Sequence, residues 1–484
     1  MCDRIRIIAS LSLIVLVGLS SATVFAQPCD PTWDNSSGQA GDPPGLSGPV
    51  YALAVFDDGS GPALYAGGAF TYAGGVLVNN VAKWDGSSWS ALGSGSNAGT
   101  NSVVYALTVY DDGSGPALYA GGFFDRAGGL IAYRIAKWGV ERGWSSLSGG
   151  LNNSVYALTV FDDGAGEQLY VGGLFTEADG SVPANRIAKW NGTTWSALDE
   201  HGLNNVVGSL VGTQEVSAVG PGLYVGGNFT SAGGVPGRNH IVAWGIERGW
   251  SPLGQGVNDW VSALAVYNDG SGAKLFAGGE FTIAGFVSAN YIAQWDGSSW
   301  LPLMSDVHNG VNNPVGALAV FDDGTGSALY AGGEFTMAGG MTASHIAKWN
   351  GESWSALIRS TDADDEGTNS DVNALAIATE DSGVGPAIYV GGTFTVAGDD
   401  AANRVAAWGG CGAADVPGDF DGDGDVDLDD YAFFYDCMDG PNATPTPTLP
   451  VTWEECLEEF DFDTDLDVDM GDFGEFQGLF GSPF

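Results

Sequence analysis

Two stretches near the C-terminal end hold the residues whose types and spacing point to the most definite chemistry. Asp419, Asp421, Asp423, Asp425, Asp427 and Asp430 occupy the first, third, fifth, seventh, ninth and twelfth positions of one loop. Gly424 stands at the sharp turn and Val426 at the apolar eighth position. Asp461, Asp463, Asp465, Asp467, Asp469 and Asp472 repeat the spacing, with Leu466 at the turn. Hard divalent cations take about six to eight oxygen ligands, and this order supplies carboxylates together with a backbone carbonyl at the seventh position. The spacing predicts two calcium ions, with a short helix after each loop, from Tyr431 to Met438 and from Phe473 to Phe480. From Cys411 to Phe484 there are 21 acidic residues and neither Lys nor Arg. Such a block repels itself until cations neutralise it, so calcium is expected to fold it.

Two tandem loops, one helix per loop and Asp rather than Glu at the twelfth position resemble a type I dockerin module over residues 418–482. The resemblance implies an EF-hand-like, α-helical calcium-binding domain that attaches its chain to a cohesin-like or cell-surface protein. The chain departs from the family in Leu466 and in a Pro- and Thr-rich insert from Pro441 to Pro450. It also carries Leu428-Asp429 and Met470-Gly471 where the family has its Ser-Thr recognition pair.

The rest of the chain repeats one unit. Residues 50–92 read as four short strands, a to d: Val50 to Phe56, Ala63 to Gly68, Asn80 to Trp84 and a strand opening at Trp89. Asp-Gly and Asp-Asp-Gly-Ser-Gly turns separate them. The strand-b aromatic followed by x-Gly-Gly recurs at Tyr65, Tyr119, Tyr170, Tyr224, Phe276, Tyr330 and Tyr389, at steps of 54, 51, 54, 52, 54 and 59 residues. Seven four-stranded units at this period predict an all-β, seven-bladed β-propeller, because radial stacking buries both faces of each sheet. The Gly-Gly, the turn after strand c and the Trp opening strand d resemble the kelch family, with Trp where kelch strand c usually has Tyr. That resemblance implies the fold and leaves function open.

The seventh unit ends strand c at Trp408 and has no second Trp. The stretch around Trp33 is the expected missing strand, so the two ends of the propeller share one blade. Four cysteines remain once the leader is removed, which allows three pairings. Cys29 and Cys411 flank the seam, and Cys437 and Cys456 lie between the calcium loops, so position favours Cys29–Cys411 and Cys437–Cys456. A bond across the seam would staple the ring shut.

At the N-terminal end, Arg4 and Arg6 precede an apolar run from Ile7 to Leu19 and small residues up to Ala26. This reads as a secretory signal peptide, too short for a membrane anchor, leaving no membrane insertion after cleavage. The expected organisation is 1–26 signal peptide, 27–410 propeller, 411–417 linker and 418–484 calcium module, in a secreted or cell-surface monomer. A formal net charge of −44 over 484 residues disfavours nucleic acid and anionic lipid as partners.

Two recurrent polar features of the propeller invite a function. Paired Asp in the a–b connection, as at Asp57-Asp58, offers too few ligands for a calcium cage and reads as a turn. The residue four before each strand-c Trp is Asn80, Arg134, Arg186, His240, Tyr291, His345 or Arg404, a ring expected on one face. Two readings of that ring stay open. Arg134, Arg186, His240, Tyr291, His345 and Arg404 either receive carboxylates or sugar hydroxyls, or hydrogen-bond the b–c loop backbone. The four histidines, His201, His240, His308 and His345, show no metal-type spacing, and no nucleophile motif appears. The reading is a non-catalytic binding or scaffold protein whose propeller presents a glycan or protein site. The alternative is a carbohydrate-active enzyme acting on polysaccharide, since glycoside hydrolysis needs only two suitably spaced carboxylates.

Overall fold

A computed structural model of the chain describes residues 32–35 and 45–409, except 141, 215–221, 246–247, 324, 359–366, 379–385 and 399. The expected signal peptide, both calcium loops and Cys29, Cys411, Cys437 and Cys456 lie outside the described residues.

The described residues form seven four-stranded antiparallel sheets, each with strands in the order a-b-c-d. In blade 1 the strands are Val50–Asp57, Pro62–Gly68, Val81–Trp84 and Trp89–Ala91. Strands a of blades 2 to 7 are Val104–Asp111, Val155–Asp162, Val207–Thr213, Val261–Asn268, Val315–Asp322 and Val372–Ala378. Blade 7 is completed from the other end of the chain. Thr32–Asp34 pairs with Val405–Gly409, opposing Trp33 to Trp408. Their rings meet at 5.3 Å, as Trp84 and Trp89 do at 5.4 Å within blade 1. The N-terminal strand therefore closes the ring as the missing tryptophan predicts.

The Gly-Gly that ends strand b has a separate reason at each position. A Cβ on Gly172 would lie 2.4 Å from Val207 Cγ1 of the next blade. The same clash joins Gly391 of blade 7 to Val50 of blade 1 at 2.6 Å, so the first glycine sets how closely blades stack around the whole circle. A Cβ on Gly173 would meet the Ser154 carbonyl at 2.1 Å. That carbonyl comes close because strand a slips register between Val155 and Ala157. Blades are also tied by indole donors: Trp144, Trp195 and Trp300 donate to Leu92, Leu147 and Leu253 of the preceding blade at 2.8, 3.0 and 2.9 Å.

The glycine-rich run between strands b and c is more ordered than its composition suggests. In blade 1 it forms a hairpin of two-residue strands, Tyr72–Ala73 and Val76–Leu77, turning at Gly74 and Gly75 with φ of 52° and 77°. All seven blades have such a hairpin, and its Ala bridges the connection entering the blade, as Ala73 does Leu46.

Candidate functional site

The two ends of the propeller are built differently. One end carries the a–b and c–d turns, the other the b–c hairpins, the d–a connections and one mouth of the central channel.

On the turn face, the first Asp of the a–b connection makes the turn and the second anchors it. Asp57 Oδ1 accepts the backbone N–H groups of Gly59 and Gly61 at 2.7 and 3.1 Å. Asp58 accepts Lys83 Nζ at 2.6 Å, the Tyr65 hydroxyl at 2.8 Å and the Ser60 hydroxyl at 2.6 Å. Asp112, Asp163 and Asp323 repeat the Lys and Tyr contacts with Lys137 and Tyr119, Lys189 and Tyr170, and Lys348 and Tyr330. In blade 5, where Gln294 stands at the strand-c position, Lys274 of strand b reaches Asp269 at 2.5 Å instead. Burial raises the Asp58 carboxyl, but the hydrogen bonds from Lys83, Ser60 and Tyr65 outweigh it and bring it down to about 2. Asp112 is held at about 2 by the same balance. Burial, together with Asp58, pushes the Tyr65 hydroxyl well up. These carboxylates serve the fold, and no cluster of three or more His, Cys, Asp or Glu suited to a metal occurs among the described residues.

On the loop face, the ring of residues four before the strand-c Trp is brought together as a structural repeat. Asn80, Arg134, Arg186, His240, Tyr291, His345 and Arg404 all adopt left-handed backbone, with φ between 63° and 75°. Each holds that conformation, which disfavours a side chain, by two main-chain bonds. Arg134 N–H donates to Phe124 at 2.8 Å, and its carbonyl accepts from Gly122 at 2.9 Å. The side chains of several turn inward. Arg134 Nη1 donates to the carbonyls of Phe123 and Phe124 at 3.0 and 3.1 Å. Arg186 donates to Leu174 and Phe175, and Arg404 to Thr393 and Phe394. His240 and His345 place Nδ1 at 3.2 Å from the carbonyls of Gly227 and Gly333. Burial lowers the His240 pKa against the opposing effect of the Gly227 carbonyl.

A second clamp escaped the sequence reading. Asn152 Oδ1 accepts the backbone N–H groups of Thr176 and Glu177 at 2.9 and 3.2 Å, and its Nδ2 donates to the Thr176 hydroxyl. Asn101, Asn204, Asn258, Asn312 and Asn369 accept the same pair in their own blades, and Ser47 does so in blade 1. The signal was present as an Asn following Leu, Val or Thr at the blade period.

Above these clamps the exposed residues differ from blade to blade. Val76 and Leu77, Leu130 and Ile131, Val235, Phe286 and Met341 stand exposed on the hairpins, Phe286 at 90%. At the axis the channel mouth is lined by strand a of every blade and opens to solvent over a space of about 260 Å³. Its wall is mainly Ala and Leu, with Tyr51, Tyr156, Ser209, Ser262 and Asn373. Sequence reasoning passed over this mouth, because Tyr51, Tyr105 and Tyr156 look like ordinary strand residues.

Fold and faces define the class: an all-β, seven-bladed propeller of four-stranded sheets. No protein-family model matches the chain. It is similar to "Polarized growth protein L1" of Phoma sp., 36% identical over 116 residues, which is 23% of this chain and 8% of that protein. Two crystal structures of one extracellular domain from B. thetaiotaomicron, described as part of a one component system and of a hybrid two component system, superpose with TM-scores of 0.46 and 0.47. Each is 13% identical, and each match covers 78% of this chain and 39% of the other. The chain thus spans a small part of its curated relative and under half of those structures.

Proposed function

We propose that this is a secreted, non-catalytic binding and scaffold protein. The propeller presents its loop face to an extracellular ligand, and the C-terminal calcium loops attach it, through a cohesin-like or cell-surface partner, to a larger assembly. One observation carries the reading. Among the described residues, most of the exposed large apolar side chains, which differ from blade to blade, stand on the loop face, with Val140 an exception on a turn, whereas the turn face repeats one Asp-Lys network in five blades. Positions that every repeat needs for packing hold the same residue type, so exposed residues peculiar to one blade on a rigid scaffold point to recognition. Among the described residues no acidic side chain lines the channel, which supports binding over hydrolysis by a carboxylate pair.

The test is a glycan and cell-surface protein array probed with three full-length proteins. These are the parent chain, a loop-face variant (Leu130→Ser, Ile131→Ser, Phe286→Ser) and a turn-face variant (Ala165→Arg, Glu352→Arg). Loss of binding in the loop-face variant alone is expected. Loss in the turn-face variant alone defeats the reading. For the attachment half, calcium added to the chelated full chain is expected to raise helical circular dichroism while leaving the propeller melting transition in place. An unchanged spectrum refutes calcium-dependent folding of residues 418–482.

A further inference from the structure

The channel mouth breaks the sevenfold pattern at one position, the second residue of strand a. It is Tyr51, Tyr105 and Tyr156 in blades 1 to 3, then Gly208, Ser262, Gly316 and Asn373 in blades 4 to 7. The three tyrosines lie on consecutive blades and touch in series. Tyr51 and Tyr105 have ring centroids 5.6 Å apart at 46°, and Tyr105 and Tyr156 are 5.0 Å apart at 38°. All three are half-buried, and their hydroxyls have no protein partner among the described residues.

The opposite wall is recessed. A Cβ on Gly208 would lie 2.8 Å from Trp260 Nε1, so the indole occupies the space that this glycine leaves. Trp260 is itself half-buried, and its indole N–H has no partner among the described residues. Asn373 Nδ2 donates to the Val50 carbonyl at 3.1 Å, which fixes the amide while leaving its oxygen able to accept. Tyr51 and Tyr156, with Tyr105 stacked between them, rim a space of about 260 Å³ whose wall is otherwise Ala, Leu, Ser209, Ser262 and Asn373, with no charged side chain among the described residues.

These features narrow the ligand class. A charged ligand entering this mouth would lose hydration and find no counter-charge among the described residues of the channel wall. A protein of net charge −44 also disfavours phosphates. An aliphatic chain would cover the tyrosine hydroxyls and the indole N–H without offering them partners. A neutral pyranose offers both requirements, a C–H face for aromatic rings and a rim of hydroxyls for free donors and acceptors. The cavity falls just below the range of about 300–1,000 Å³ typical of drug-sized ligands, which suits one sugar ring rather than a length of chain.

We propose that Tyr51, Tyr105 and Tyr156, faced by Trp260, Ser262 and Asn373, bind the terminal neutral pyranose of an extracellular glycan at the channel mouth. This rests on the loop face being the binding surface and names its ligand class. The sugar ring packs its C–H face on the tyrosines and turns its hydroxyls toward Ser262 and Asn373.

The experiment is calorimetric titration of the full chain with cellohexaose, xylohexaose, mannohexaose and laminarihexaose, with trigalacturonate as the charged control. At least one neutral oligosaccharide is expected to bind. Tyr105→Ala is expected to weaken it about tenfold, while Tyr105→Phe, which keeps the ring face, stays within about threefold. Ser262→Tyr fills the recess rather than emptying a site and is expected to abolish binding, so a Tyr105→Ala chain that folds poorly leaves the test intact. Neutral binding that survives both Tyr105→Ala and Ser262→Tyr, binding of trigalacturonate alone, or no binding of any neutral sugar overturns the proposal. Survival in those two variants with loss in the Leu130, Ile131 and Phe286 variant sinks the channel site while the loop-face reading stands.

Discussion

The turn face and the loop face of this propeller are made from the same seven repeats, yet they distribute their polar groups in opposite ways. On the turn face, side chains that differ in type meet one another, and Asp, Lys, Tyr and Ser close a network in which each charge has a partner. On the loop face, the polar side chains of Asn152 and Arg134 turn onto the backbone, and the exposed hairpin residues, among them large apolar ones, differ between blades. The first arrangement uses charge to hold geometry. The second holds its geometry with Asn oxygens that accept backbone N–H groups and Arg groups that donate to carbonyls, which frees the surface above to vary without loss of fold. The lesson is that repetition of a polar motif marks support, while its interruption marks the place to look for binding.

Acid is expected to give the largest separation between the faces, because it acts on five turns at once. The carboxyls of Asp58 and Asp112 are depressed from 3.8 to about 2, so their contribution is complete above the unfolded value and is lost as pH falls from about 4 through about 2. Denaturant midpoints measured across that window should fall steeply. Replacing both residues with Asn should lower the midpoint at neutral pH and flatten its pH dependence, and an unchanged slope would break the assignment of these turns as charge-held.

Asp323→Ala is the largest single change expected. Asp323 is buried with its side chain closed to solvent, and its loss strands Lys348 and the Tyr330 hydroxyl. Breaking a buried ion pair costs about 3–5 kcal/mol, and the part-exposed lysine places this case near the lower end. Equilibrium unfolding measures it, and Asp323→Ala with the stability of the parent would remove the network from the account.

A smaller loss is expected on the loop face from Asn152→Ala. It leaves the exposed N–H groups of Thr176 and Glu177 to water, so the loss is that of an ordinary hydrogen bond, about 0.5–1.5 kcal/mol. Hydrogen exchange should quicken at Thr176 and Glu177 before it does in strand b of blade 3. Uniform exchange across the blade would count against a local clamp.

The smallest effect is predicted for the hairpin tips. Phe286→Ser and Leu130→Ser should leave stability within about 0.5 kcal/mol, since both side chains are exposed. A clear loss of stability there would mean that the tips serve the fold, and the contrast between the two faces would weaken.

Local pattern determined a large part of this protein. The Gly-Gly at a near-constant step, the paired tryptophans and the absent second Trp after Trp408 together determine seven blades and the closing role of Trp33, because strand period and turn chemistry are properties of short segments. The position of the ring from Arg134 to Arg404 was legible for the same reason. Other features depended on neighbours about fifty residues apart being stacked around an axis. Only that stacking puts Val207 against Gly172, seats Trp260 over Gly208 and brings Tyr51, Tyr105 and Tyr156 into one series. Each of those tyrosines, taken within its own blade, is an ordinary strand residue. Only the tertiary structure made three of them a surface, because the contact they share runs around the ring and along no single strand.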